Sequence, residues 1–309
     1  MTASRWRTEL RDVCELVLAP SIAAVLPWRW AFALMRQVLP HTPWYRSAAD
    51  AAWREFEARP AHALLPATPA ERNAIGAAWR AQRQLVSWVD HADHYLARSR
   101  GDAWMRDHLR VQGQWPQPGQ AALLLTFHWG AGMWGLRHAA AQGLEPRALV
   151  ASTEGEPFRG RAVLGWYAKA RTATVRRALR CDPLDVTGSL RPAIKTLRAG
   201  GQVLAAIDVP ADQAASAEAI RVLSMPAAVP RALHRLAVEQ KVPVYVYLTG
   251  FNAATGERTL HIHALGVYED ASVLVRDVFA HLERAICQDS AAWHFWGEAP
   301  RFFRQTEPG

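Results

Sequence analysis

The run Ala122-Leu123-Leu124-Leu125-Thr126-Phe127-His128-Trp129-Gly130-Ala131-Gly132-Met133-Trp134-Gly135 constrains this chain more than any other stretch. Its opening residues carry no charge and lean apolar, which reads as a strand buried on both faces. Glycines follow, and Met133–Ala141 is rich in helix formers, so the unit reads strand, tight turn, helix. The turn sets His128 at the carboxyl end of a central strand, where open α/β sheets keep their binding crevices.

Two chemistries fit this turn. An imidazole titrates near neutral pH, so His128 suits a general base that accepts a proton and later returns it. A histidine satisfied within the fold is the plain alternative. The second chemistry comes from Gly130, Gly132 and Gly135, which spell G-x-G-x-x-G. Glu154 follows at about the expected distance, after the strand-like segment Arg147–Ala151, as in a dinucleotide site. Three features weigh against a nucleotide. His128 and Trp129 stand between the strand and the first glycine. Met133 and Trp134 put bulk where phosphate would approach. The motif also begins past residue 120, after a long helical region.

Charge and cysteine usage narrow the field. The chain has 309 residues and a formal net charge of +8, but its arginines are scattered, so a nucleic-acid-binding stripe is not expected. A diffuse positive field suits an anionic membrane surface or an acidic partner. Cys14, Cys181 and Cys287 are far apart and form neither a metal spacing nor a disulfide framework, as in a reducing compartment.

Val13–Leu39 is apolar but interrupted by Glu15, Pro20, Pro27 and Arg29, so neither a transmembrane span nor a signal peptide is expected. With Trp6, Trp28, Trp30 and Trp44 nearby, it reads as proline-broken amphipathic helices in a membrane interface. Burial against the protein body is the open alternative. A further helix is expected over Trp44–Glu57, then a linker over Pro60–Pro69 and a long helix over Pro69–Ser99. The latter carries Asp90-His91-Ala92-Asp93-His94, read as a solvated face, with a metal pair of His91 and His94 as the alternative.

Beyond the histidine turn, the polar run Ser152–Arg161 leads into a helix through Arg177, whose arginines are candidates for anion binding. Ser189 and Pro192 start the next helix, which stops at Gly200-Gly201. The strand Gln202–Ile207 then delivers Asp208 at its carboxyl end, on the sheet edge that carries His128. A helix over Ala227–Gln240 precedes a hairpin of Val242–Leu248 and Arg258–Leu265, on which His261 and His263 share one face. A last helix spans Ala271–Gln288. The expected architecture is α/β, with a mixed, mostly parallel central sheet flanked by helices over residues 105–309 and a helical region over residues 1–104.

Several blocks in order carry a family resemblance. They are Thr126-Phe127-His128-Trp129-Gly130, Lys195–Gly201 leading to Ile207-Asp208, Lys241-Val242-Pro243-Val244, and Ala292-Trp293-His294-Phe295-Trp296 with Arg301-Phe302. Together they resemble the bacterial lipid A biosynthesis acyltransferases of the lauroyl/myristoyl type, in the lysophospholipid acyltransferase-like superfamily. The resemblance implies a glycerolphosphate acyltransferase-like fold, peripheral at the cytoplasmic side of the bacterial inner membrane. It implies transfer of an acyl chain from an acyl carrier protein or acyl-CoA to a hydroxyl or amine of a lipid acceptor, with no metal or redox cofactor. Carried onto this chain, His128 is the base, and Asp208 with Arg159, Arg161 or Arg171 orders the site beside Trp129, Gly130 and Gly132. One position departs from the family: the acid expected five residues after the histidine is Met133. Asp208, or else Glu154, then has to replace it, or the chain is a lipid- or carrier-binding relic. The His-Trp-Gly-x-Gly turn is similar to that of acyltransferases in aryl polyene and xanthomonadin pigment clusters, which points to a polyene-lipid acceptor.

Overall fold

The computed structural model describes residues 3–59, 68–150, 160–185, 189–210 and 216–303. The amino-terminal region is helical: α1 (Ala3–Val13), a π-helical turn (Cys14–Leu18), α2 (Ala19–Val25), α3 (Trp28–Val38), α4 (Arg46–Glu57), α5 (Pro69–Ser99) and α6 (Asp102–Asp107). Strands and helices then alternate through β1 (Leu109–Gln112), β2 (Ala122–Thr126), α7 (Met133–Ala141), β3 (Arg147–Val150), α8 (Ala162–Leu179), β4 (Leu184–Asp185), α9 (Arg191–Arg198) and β5 (Gln202–Ala206). The chain continues with β6 (Ala217–Val222), β7 (Met225–Pro230), α10 (Ala232–Gln240), β8 (Val244–Phe251), β9 (Arg258–Gly266), α11 (Ala271–Gln288) and α12 (Ala299–Phe302).

The main sheet runs β1-β9-β8-β2-β5-β3, with the two-residue β4 at its far edge. Every neighbouring pair is parallel except β8 with β9. This is the mixed, mostly parallel sheet read from the sequence. β2 lies at its centre, and Ala122 to Leu125 are fully buried. Because side chains alternate across a strand, β2 feeds two cores. Leu123 and Leu125 join one with Trp53, Phe56, Trp79 and α11, while Ala122 and Leu124 join the other with Phe32, Trp88 and Trp134. Both cores mix residues from either side of residue 104, so packing is continuous across that point.

α5 starts where its sequence dictates. The Thr68 hydroxyl accepts the Glu71 N–H, the Glu71 carboxylate accepts the Thr68 N–H, and Pro69 occupies the first turn. Two expectations need correction. Met225–Pro230, expected to open a helix at Ala227, instead forms a strand paired with Ala217–Val222, and α10 begins only at Ala232. Pro230 disfavours helical backbone at Val229, and Ala227 to Val229 are buried, so an extended segment fits better. β1, which pairs with β9, was not anticipated, because only Leu109 of its four residues is buried and no alternation shows.

The amino-terminal indoles divide. Trp6 and Trp30 are each 63% exposed, beside exposed Leu10 and Val25. Trp28 is buried, stacks on Trp88 and donates its indole N–H to the Gly256 carbonyl at 2.9 Å. Among the described residues no helix is long and apolar enough to cross a membrane.

Candidate active site

The register of two strands builds the centre of the site. β2 and β5 run parallel with Thr126 opposite Ala206, so two further residues bring His128 opposite Asp208. The His128 Nδ1 lies 2.8 Å from Asp208 Oδ1. The carboxylate also accepts the His128 backbone N–H, at 3.0 Å to Oδ1 and 2.9 Å to Oδ2. Asp208 is fully buried, whereas the His128 side chain is 38% exposed. With Nδ1 held, Nε2 has no hydrogen-bond partner among the described residues. An acceptor fixed at Nδ1 selects the tautomer that leaves the Nε2 lone pair open.

The end of the chain closes over this pair. Trp293, fully buried, donates its indole N–H to Asp208 Oδ2 at 2.8 Å. Trp129 bridges Trp293 in antiparallel fashion, and the His294 N–H donates to the His128 carbonyl at 2.8 Å. Phe295 stacks on the imidazole, with centroids 4.0 Å apart and planes 12° apart. Arg83 of α5 fixes this segment by donating to the carbonyls of Ala291, Trp293 and His294. A single aromatic segment thus orients the carboxylate and covers one face of the imidazole.

The electrostatics favour a base that titrates above its ordinary range. Burial pushes the His128 imidazole down, but the charge and hydrogen bond of Asp208 outweigh it, with a further push from Asp90, so the net shift is upward. The charge of Arg171 opposes this shift. Its guanidinium donates to Asp90 Oδ1 at 2.6 Å and to the Tyr167 hydroxyl at 3.3 Å. Burial pushes the Asp90 carboxyl up, yet the Arg171 charge holds it well below the usual carboxylate range.

The Asp90–His94 segment is therefore not the solvated face its polarity suggested. Asp93 and His94 are buried, and the His91 Nδ1 sits 2.7 Å from the Tyr167 hydroxyl. Burial pushes His91 down to about 3, so its ring is neutral. α5 is covered by α8 and the amino-terminal helices, and polar side chains replace the water a free face would hold. Among the described residues no cluster of histidine, cysteine or carboxylate side chains is placed to hold a metal.

The other residues singled out in the sequence separate clearly. Arg161 sits away from this pair, bidentate on the nearly buried Asp12 of α1 at 2.6 and 3.0 Å. Together with Glu9, which accepts the first two N–H groups of α8, it fastens α1 to α8. Arg159 and Glu154 lie outside the described residues. Met133, where the resemblance led to the expectation of an acid, is buried in the core.

The glycine motif has a packing origin. Gly130 adopts φ +50°, and a Cβ there would come within 2.5 Å of the Thr249 carbonyl. At Gly135 a Cβ would meet the Tyr247 ring at 2.4 Å. Both glycines let the turn and α7 press against β8. The Gly130 N–H donates to the Ala292 carbonyl and the Ala131 N–H to Thr249, so neither is free to cradle a pyrophosphate. This removes the geometric support for a dinucleotide loop. Gly132 and Met133 open α7 with N–H groups not engaged elsewhere among the described residues.

Trp293, Phe295, Arg83 and Asp90 were not among the site residues read from the sequence. The aromatic run Trp293–Trp296 was a visible signal; the roles of Arg83 and Asp90 depend on how α5 packs. No protein-family model matches this chain, and no curated protein matches it.

Proposed function

We propose that this chain is an acyltransferase that moves an acyl group from a carrier-protein or coenzyme A thioester to a hydroxyl or amine of a lipid or polyene-lipid acceptor. The observation that carries this reading is the half-exposed His128, held at Nδ1 by a buried carboxylate with Nε2 open at the carboxyl edge of the sheet. The acceptor O–H gives its proton to Nε2 as its oxygen bonds to the thioester carbon. The N–H groups of Gly132 and Met133, at the positive end of α7, are the donors left on this turn for the oxyanion. Collapse of the tetrahedral intermediate breaks the C–S bond, and the imidazolium returns the proton to the leaving thiolate. Asp208 takes the orienting role that the residue at Met133 has in the resembling family.

The exposed Trp6 and Leu10 beside Arg5 and Arg7 on α1, and the exposed Trp30 on α3, support attachment to an anionic membrane surface, at the cytoplasmic face of a bacterial inner membrane. The test is product formation by mass spectrometry, with acyl carrier protein or acyl-CoA thioesters offered to lipid and polyene acceptors. We expect an acylated acceptor from the native chain and none from His128→Ala of unchanged circular dichroism. Equal turnover by that variant overturns the mechanism, and absence of product from the native chain with both donors overturns the activity.

A further inference from the structure

A second polar cluster lies outside the His128 pair. A cavity of about 350 Å³ opens between the end of β8, the first half of β9 and the second half of α11. Because β8 runs parallel to β2, this end of β8 lies on the sheet edge that carries His128, and Trp129 forms part of the wall. His261 and His263, two residues apart on β9, face the same way, their ring centroids 6.4 Å apart and their planes nearly parallel at 9°. His281 of α11 approaches His263 at 4.4 Å. Arg284, one turn further along α11, completes the cluster and is exposed.

These four groups share one property. None of them has a hydrogen-bond or ion-pair partner among the described residues. Burial pushes His263 and His281 down, and neighbouring positive charge pushes them further: His261 and Arg284 act on His263, and His263 and Arg284 act on His281, which falls to about 4. The nearby carboxylates do not neutralise the cluster. Asp277, which pulls His281 slightly up, accepts the Tyr268 hydroxyl at 2.7 Å. Asp289 lines the same cavity, but it accepts from Gln82 at 3.3 Å and from the backbone of Ala291 and Ala292, and pairs with none of the four. Cation-capable side chains gathered on one cavity wall, none of them paired with a carboxylate among the described residues, are the pattern of a site awaiting an anion. A metal is the other ligand for imidazoles, but no three of these groups are placed to chelate one.

We infer that His261, His263, His281 and Arg284 form a binding site for a phosphate ester. Arg284 supplies the permanent charge, and the imidazoles take up protons as the dianion enters. The apolar wall of Trp129, Leu248 and Phe251 suits an ester carried on an organic chain rather than free phosphate. The position beside the His128 turn gives the site to a substrate of the proposed transfer, so this assignment of substrate rests on that reading. Two sources present this chemistry: the phosphate of a pantetheine-type thioester donor, and the headgroup phosphate of a lipid acceptor.

The test follows histidine ring resonances by NMR in the full-length chain, with no acyl donor present, so phosphate binding holds or fails independently of turnover. Titration with inorganic phosphate is expected to give saturable shifts of His263 and His281 and to raise their apparent pKa values. R284Q should weaken binding roughly tenfold or more, the loss of one hydrogen bond to a charged group. H281Q should weaken it as well, while H128A should bind phosphate as the native chain does. Phosphopantetheine and glycerol 3-phosphate then separate the sources: tighter binding of the first assigns the donor, of the second the acceptor. No saturable shift, an unchanged affinity in R284Q, or shifts with zinc but none with phosphate would overturn the site.

Discussion

Two acid–base pairs in this protein use similar parts to opposite ends. Asp93 of α5 pairs with Arg258 of β9, and both side chains are wholly inaccessible to solvent. The guanidinium lies between two indoles, 4.0 Å from the Trp28 centroid and 4.2 Å from Trp134. Asp208 is equally buried, but its partner His128 is 38% exposed, with one ring nitrogen open. In the first pair every face is closed, so its charges only join α3, α5, α7 and β9. In the second, an inaccessible carboxylate holds a ring that reaches the surface. The difference lies in the partner: a guanidinium stays charged at any ordinary pH, whereas an imidazole exchanges its proton.

The largest effect should come from neutralising the carboxylate behind the open ring. Asp208 accepts at both oxygens, from His128 at one and from Trp293 at the other. An asparagine amide has one acceptor and one donor end, so either orientation sets N–H against N–H. If the amide faces the imidazole, Nδ1 must become the acceptor and Nε2 loses its lone pair. We expect Asp208→Asn to lower turnover by about 10⁴, as the equivalent change does in a serine protease triad, with little loss of acceptor binding. A loss below tenfold in steady-state kinetics would remove Asp208 from the mechanism.

The closed pair should respond in stability instead. Arg258→Met leaves Asp93 buried without its cation and removes the charge between Trp28 and Trp134. The expected cost is about 3–5 kcal/mol, read from the midpoint of urea unfolding, while kcat of the folded fraction stays near native. A fall in kcat at full folding would show that this pair also reaches the site, and the contrast would fail.

The open half of this contrast was legible in the sequence. The uncharged run Ala122–Leu125 marked the central strand, and the parallel reading put His128 and Asp208 at one sheet edge. Their contact follows from register, which no local pattern states. The closed pair was invisible: Asp93 read as part of a solvated helix face, and Arg258 as the start of a hairpin strand. Both assignments use local polarity, and burial here comes from helices folded over α5 from elsewhere in the chain. The same limit explains why Arg161 read as an anion-binding residue although it joins Asp12, 149 residues away. The glycine motif misled for the opposite reason. Its spacing is local and real, but Gly130 and Gly135 answer to the β8 backbone and the Tyr247 ring.

The smallest effect separates the carboxylate from the indole that holds it. Asp208 gives the imidazole its upward shift, so the neutral, proton-accepting form of His128 is lost as pH falls through a value above the ordinary 6.5. The acid limb of kcat/KM in the native protein is therefore expected above that value. In Asp208→Asn the downward push of burial dominates, and the limb should move below it. Trp293→Phe removes one N–H donor from the carboxylate but leaves its charge. Loss of a hydrogen bond to a charged group costs about 1.5–3 kcal/mol, so the rate should fall roughly 10- to 100-fold. Its acid limb should stay on the native side of 6.5, because the pull on Nδ1 comes from the charge and not from the indole. If the Trp293→Phe profile instead coincides with that of Asp208→Asn, the buried carboxylate works only when the aromatic segment is in place, and the two halves of the site act as one unit.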